Sequence, residues 1–125
     1  MLKDRRIVLG VTGGIAAYKA AELVRELVRR GAQARVVMTD HACRFVTPLT
    51  FETLSRNPVV TDLFSTTDDY EIGHIALAQF AELFVIAPST ANVIGKMAAG
   101  IADHLLTTVL VASTSPVLVC PAMNA

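Results

Sequence analysis

Four short segments hold most of the residues that could bind a small ligand. They are Thr12-Gly13-Gly14-Ile15, Thr39-Asp40-His41, Pro88-Ser89-Thr90-Ala91-Asn92 and Cys120-Pro121-Ala122-Met123-Asn124. Each segment follows a short apolar run that is typical of a buried strand. Ligands of open α/β sheets bind at the carboxyl ends of the strands, so these segments are the candidate binding loops.

The first segment places Gly13 and Gly14 directly before a predicted helix. Unencumbered backbone N–H groups and the positive end of a helix together attract a phosphate group. The segment is not Gly-x-Gly-x-x-Gly and lacks Gly-Lys-Ser/Thr, so neither the dinucleotide nor the Walker fingerprint applies. A plain tight turn explains the two glycines equally well.

The third segment offers hydroxyl and amide groups on Ser89, Thr90 and Asn92 at another predicted helix start. Such groups suit a polyol or a phosphate, although the same residue types also cap helices.

His74 follows Gly73 and begins a predicted helix whose next residues are apolar. A lone histidine is more often structural, but at a helix start near the ligand edge it could act as a base near neutral pH. His41 and His104 lack this setting, and we interpret them as surface or capping residues.

Hydrophobic periodicity predicts the elements that position these residues. Strands are predicted at 6–11, 34–38, 59–60, 83–87 and 116–120, and helices at 15–30, 50–54, 72–80, 91–99 and 102–112. Pro88 is expected to stop the fourth strand, and Gly31 to cap the first helix. The alternation predicts an α/β protein with a doubly wound parallel sheet, in one domain over residues 1–125.

Composition agrees with this fold class and excludes several functions. Hydrophobic residues make up 53% of the chain and aromatic residues only 6%, which favours a core of Val, Ile, Leu and Ala. Eleven Lys and Arg balance 11 Asp and Glu, so no overall charge attracts nucleic acid. No apolar run approaches the roughly 18 residues of a membrane helix. We therefore expect a cytoplasmic protein with neither a nucleic-acid nor a membrane partner.

The segments together resemble the flavin-dependent cysteine decarboxylase family, most closely its phosphopantothenoylcysteine decarboxylase branch. The resemblance covers essentially the whole chain. It is strongest at Val11-Thr12-Gly13-Gly14-Ile15-Ala16-Ala17-Tyr18-Lys19, Gly73-His74-Ile75, Pro88-Ser89-Thr90-Ala91-Asn92 and Pro121-Ala122-Met123-Asn124.

This resemblance implies a flavodoxin-like, Rossmann-type three-layer fold that assembles as trimers or multiples of trimers, with FMN near the subunit contacts and no metal. The implied FMN-binding residues are Gly13, Gly14, Ile15, Ala16, Thr39, Thr90, Ala91, Asn92 and Ala122. His74 matches the catalytic base, and Asn124 matches the asparagine that holds the carboxylate of the small-molecule substrate. In that family the substrate cysteine is oxidised to a thioaldehyde, carbon dioxide is lost, and the enethiolate is reduced to an aminothiol.

The chain departs from the family pattern in two places. The third motif is usually Pro-Ala-Ser-Ala-Asn-Thr, whereas Ser89, Thr90 and Val93 stand here at some of those positions. The chain also stops at Ala125, before the family's Met-Trp or Met-Tyr pair and its clamp cysteine, and neither Cys43 nor Cys120 takes that cysteine's role. We therefore expect a C-terminally incomplete domain that binds FMN but turns over poorly.

Two other functions share the fold and the flavin site. One is a flavin prenyltransferase, against which the Gly73-His74 and Pro121-Ala122-Met123-Asn124 segments argue. The other is a regulatory subunit that binds flavin without turnover, and the presence of His74 and Asn124 is only weak evidence against it.

Overall fold

Five parallel strands form one sheet in the computed structural model, which describes residues 2–61 and 75–122. The strands are β1 (Arg6–Val11), β2 (Gln33–Met38), β3 (Val60–Thr61), β4 (Leu83–Ser89) and β5 (Val117–Pro121). Their order is β3-β2-β1-β4-β5, and every pairing is parallel. β2 and β3 therefore extend the sheet on one side of β1, and β4 and β5 extend it on the other side. The topological switch point lies between β1 and β4.

Helices cover both faces of this sheet. They are α1 (Ala17–Arg29), α2 (Pro48–Ser55), α3 (residues 75–80), α4 (Ala91–Ala99) and α5 (Leu105–Ala112), with a 3₁₀ turn at Ala42–Arg44. α1 and α2 pack on one face, and α3, α4 and α5 pack on the other. The predicted doubly wound, three-layer α/β fold is confirmed.

The continuous apolar run of β1 reflects burial on both faces. Ile7, Leu9 and Val11 pack into the core beneath α1 and α2, whereas Val8 packs into the core beneath α3, α4 and α5. A parallel strand buried on both faces has no polar side, so its sequence cannot alternate. β1 is thus a buried strand, as its sequence pattern predicts, and it is the central strand of the sheet.

Several predicted boundaries shift in the structure. β4 was expected to stop before Pro88 but continues through it to Ser89, with a cis Ala87–Pro88 peptide bond. The last helix begins at Leu105 and not at residue 102, because the side chain of His104 accepts from the N–H of Thr107 and forms a capping box. α1 likewise begins at Ala17, two residues later than predicted.

The end of α1 agrees with its predicted cap. Gly31 adopts a left-handed φ of +94° after α1, and its N–H donates to the carbonyl of Val28 at 3.0 Å, so it caps the helix as predicted.

Within residues 2–61 and 75–122, no helix combines the length and hydrophobicity needed to cross a membrane. The same ranges contain no group of three or more His, Cys, Asp or Glu side chains placed to hold a metal ion.

Candidate functional site

Thr12 joins the loops that follow β1 and β4. Its hydroxyl donates to the carbonyl of Pro88 and accepts from the N–H of Thr90 at 3.0 Å. Its own N–H also donates to the carbonyl of Pro88, at 3.3 Å. Thr12 is completely buried, so these bonds fix the first and third candidate loops against each other at the switch point.

The loop after β2 reaches the same place. The N–H of Thr39 donates to the carbonyl of Val11 at 3.0 Å, and the Thr39 hydroxyl accepts from the N–H of Ala42 at 3.2 Å. His41 then crosses so close to Gly13 that a Cβ added to this glycine would lie 2.3 Å from the Cβ of His41. Three strand-end loops therefore meet, as the parallel topology predicts.

A cavity with a volume of about 370 Å³ lies where these loops meet, and we call it the polar cavity because most of its lining residues are of polar types. The residues that line it are Thr12, Gly13, Thr39, Asp40, His41, Thr90, Asn92, Val93, Lys96 and His104. The predicted site residues Gly13, Thr39, Thr90 and Asn92 are thus brought together. The volume falls in the range of about 300–1,000 Å³ that is usual for ligand pockets.

Backbone donors of the first loop remain available to a ligand. Within the described residues, the N–H groups of Gly13, Ile15 and Ala16 donate to no protein acceptor. At the start of α4, by contrast, the Thr90 hydroxyl accepts from the N–H of Val93 at 3.3 Å. Thr90 therefore caps the helix and also lines the polar cavity, so both interpretations of this residue apply.

Lys96 and the two histidines of the polar cavity were missed as site residues by the sequence analysis. Lys96 follows Asn92 by four residues, so both lie on the same face of α4, and this spacing was available as a signal. The Lys96 Nζ atom lies 3.0 Å from Oδ2 of Asp103, and this ammonium group is the main cause that lowers the pKa of the Asp103 carboxyl. His104 caps α5 as predicted, but it also lines the polar cavity.

An apolar cavity with a volume of about 280 Å³ lies beside α1 at the ends of β4 and β5. The residues that line it are Ala16, Lys19, Ala20, Leu23, Ala87, Pro88, Cys120, Pro121 and Ala122. Two predicted site residues, Ala16 and Ala122, contribute to it. The first loop therefore lines both cavities, through Gly13 on one side and Ala16 on the other.

The remaining predicted site residues have other positions. Gly14 has open space beside it, since the nearest atom to an added Cβ is Cγ of Pro88 at 3.9 Å. Ile15 is 63% exposed, and Ala91 is an exposed residue of the first turn of α4. His74 and Asn124 lie outside the described residues.

A doubly wound parallel sheet of order β3-β2-β1-β4-β5 with a polar cavity at its switch point defines a Rossmann-type, flavodoxin-like α/β protein, a class whose ligands bind at such a place. Within this class, residues 1–125 match the family Flavoprotein, and the chain belongs to that family.

Curated relatives agree with the family assignment. The chain is 55% identical over 124 residues to the coenzyme A biosynthesis bifunctional protein CoaBC of Bacillus subtilis. This alignment covers 99% of the chain and 30% of the relative. It is 48% identical over 123 residues to CoaBC of Escherichia coli strain K12, covering 98% of this chain and 30% of that protein. The chain thus spans about 30% of the length of these relatives.

Solved structures share the fold. The FMN-dependent cysteine decarboxylase SpaF superposes with a TM-score of 0.86 at 31% identity, covering 100% of this chain and 72% of SpaF. The PPC decarboxylase mutant C175S complexed with pantothenoylaminoethenethiol gives a TM-score of 0.78 at 32% identity, covering 98% of this chain and 69% of the other. These comparisons confirm the resemblance that the four segments predict.

Proposed function

We propose that this chain is the FMN-binding domain of a decarboxylase that converts 4'-phosphopantothenoylcysteine to 4'-phosphopantetheine in coenzyme A biosynthesis. The observation that carries the proposal is the meeting of three strand-end loops around the polar cavity, at the residues that the family resemblance assigns to FMN. The similarity to CoaBC proteins and to a PPC decarboxylase supports the choice of substrate.

The chemistry of the two cavities fits FMN. In the polar cavity, the threonine hydroxyls and the N–H group of Gly13 suit a phosphate and a ribityl chain. The apolar cavity, walled mainly by Ala, Leu and Pro side chains, suits a flat aromatic ring. Because the first loop lines both cavities and carries no dinucleotide fingerprint, FMN is favoured over FAD and NAD.

Bound FMN supplies the two-electron oxidation and reduction that this reaction needs. The loops of the chain hold and orient it, and Thr12 keeps the first and third loops at a fixed separation. His74 is proposed as the base that removes the proton during substrate oxidation, and Asn124 as the group that binds the substrate carboxylate.

We also propose a cytoplasmic homo-oligomer, a trimer or a multiple of trimers. Ile15 on the first loop is 63% exposed and Tyr18 at the start of α1 is 54% exposed, so apolar surface borders the proposed flavin site. A subunit contact at this place would cover that surface. Light scattering at micromolar concentration should give the mass of a trimer or of a multiple of it.

A decarboxylation assay tests the proposal. The flavin-loaded chain is mixed with 4'-phosphopantothenoylcysteine, and carbon dioxide release and flavin bleaching are followed together. His74→Asn should keep its flavin but lose about a hundred- to ten-thousandfold in the rate of substrate oxidation. Prenylation of flavin by dimethylallyl phosphate would identify a prenyltransferase instead, and a flavin spectrum that neither substrate changes would identify a non-catalytic binding subunit.

A further inference from the structure

Among the described residues that line the polar cavity, Lys96 is the one lysine or arginine. Its side chain is only 21% exposed, although most lysine side chains extend into solvent. The ammonium group is held at 3.0 Å by Oδ2 of Asp103, which is 53% exposed. The lysine is thus partly buried at the cavity wall, while its carboxylate partner lies toward solvent.

The other groups that line the polar cavity indicate which kind of ligand the Lys96 ammonium group would bind. The hydroxyls of Thr39 and Thr90 and the unused N–H of Gly13 are groups that bind phosphate oxygens. Asp40 also lines the cavity and carries a negative charge that opposes an anion. A phosphate monoester carries up to two negative charges, so a cavity that contains Asp40 needs a cation to accept it.

We propose that Lys96 is the counter-charge for a phosphate monoester bound in the polar cavity. The inference rests on the proposed function, in which the phosphate is that of FMN. The substrate named there also carries a phosphate monoester, and the experiment below distinguishes these two sources of the phosphate.

The test compares Lys96→Met, which removes the charge but keeps the length, with Lys96→Arg, which keeps the charge. Lys3→Met, at an exposed position before β1, is the control for loss of a lysine elsewhere. Each variant is titrated with FMN and with riboflavin by flavin fluorescence, and with 4'-phosphopantothenoylcysteine and its dephosphorylated form by calorimetry. Inorganic phosphate is added separately, and the rise in melting temperature is recorded.

We expect Lys96→Met to bind FMN at least about tenfold more weakly, because a charge-assisted bond to phosphate is lost, with riboflavin affinity unchanged within about twofold. Lys96→Arg and Lys3→Met should keep the affinity for FMN. If only the phosphorylated substrate is affected, Lys96 still pairs with a phosphate monoester, and its source is the substrate. The inference would be overturned if Lys96→Met lost equal affinity for FMN and riboflavin. It would also be overturned if this variant lost affinity neither for FMN nor for 4'-phosphopantothenoylcysteine.

The phosphate titration separates this inference from the proposed function. A melting temperature that rises with inorganic phosphate in the unsubstituted chain but not in Lys96→Met supports the inference even if no flavin binds. If Lys96→Met binds both FMN and the phosphorylated substrate normally and responds to phosphate as the unsubstituted chain does, the proposed function stays intact and the role of Lys96 is refuted.

Discussion

At the residue scale, Gly13 and Gly14 are adjacent but meet different surroundings. A Cβ on Gly13 would lie 2.3 Å from the Cβ of His41 and 2.9 Å from its carbonyl carbon, so the backbone of the second loop would have to move. A Cβ on Gly14 meets nothing closer than 3.9 Å. Gly13 has no room for a side chain because the loop after β2 approaches it closely, whereas Gly14 has room for one.

Gly13→Ala should therefore lower the free energy of unfolding by about 1–3 kcal/mol, the usual cost of overpacking, and weaken flavin binding because the polar cavity is distorted. Gly14→Ala is the matched control and should leave the stability almost unchanged. Urea denaturation of both variants provides the measurement. Equal stability of the two variants would show that the close approach to His41 is absent in solution.

The site could be predicted from sequence only where strand ends determine it. Gly13, Thr39 and Thr90 directly follow or end parallel strands, and such ends converge at one edge of a sheet, so their meeting in the polar cavity was predictable. The four-residue spacing places Lys96 on the same face of α4 as Asn92, but it does not show that this face borders a cavity. His104 lines the cavity because of how α5 packs on the sheet, and this packing has no local sequence signal.

At the element scale, Thr12 is the link between β1 and the loop before α4. Thr12→Val keeps the shape but leaves the partly buried N–H of Thr90 without its acceptor, so we expect a loss of about 1–3 kcal/mol in the free energy of unfolding. Thr12→Ser keeps the hydroxyl and should lose less. Thermal denaturation compares the two variants, and a valine variant as stable as the serine variant would contradict this role.

Glu82 links β1 and β4 at the opposite edge of the sheet. The backbone N–H of Arg6 donates to its carboxylate at 3.0 Å, and Arg5 donates at 3.2 Å. The Arg6 N–H, and then the Arg5 guanidinium, hold the pKa of Glu82 below its ordinary value of 4.5. The unfolded chain therefore binds this proton more readily than the folded chain.

The contribution of Glu82 to stability should be complete above pH 4.5 and should disappear as the pH falls through its lowered folded-state pKa. Glu82→Gln should remove this part of the acid sensitivity and lower the stability at neutral pH. Glu22→Gln, on the exposed side of α1, is the control. Urea denaturation from pH 7 down to pH 3 measures the effect, and parallel pH profiles for Glu82→Gln and the unsubstituted chain would refute it.

The elements themselves were largely predictable, and their ends were not. Runs such as that of β1 identify strands because burial on both faces demands apolar residues throughout. Pro88 was expected to end β4, but its missing N–H removes only one donor, and its carbonyl still accepts from Thr12. Similarly, the start of α5 depends on the cap at His104, a residue type that is not among the preferred caps.

At the scale of the whole molecule, one sheet supports two neighbouring cavities of different chemistry. α4 and α5 lie beside the polar cavity, whereas α1 lies beside the apolar cavity, and the loop after β1 reaches both. The two cavities thus lie at the carboxyl edge of the same sheet. This arrangement suits a ligand with a charged tail and a flat apolar head.

The most direct test of this account is the identity of the cofactor that the chain binds. The purified chain is incubated with a mixture of FMN, FAD, NAD and riboflavin, freed of unbound ligand and precipitated with acid, and the released compound is identified by chromatography and counted against protein. We expect FMN at one molecule per chain. Release of a dinucleotide, or of no flavin at all, would contradict it.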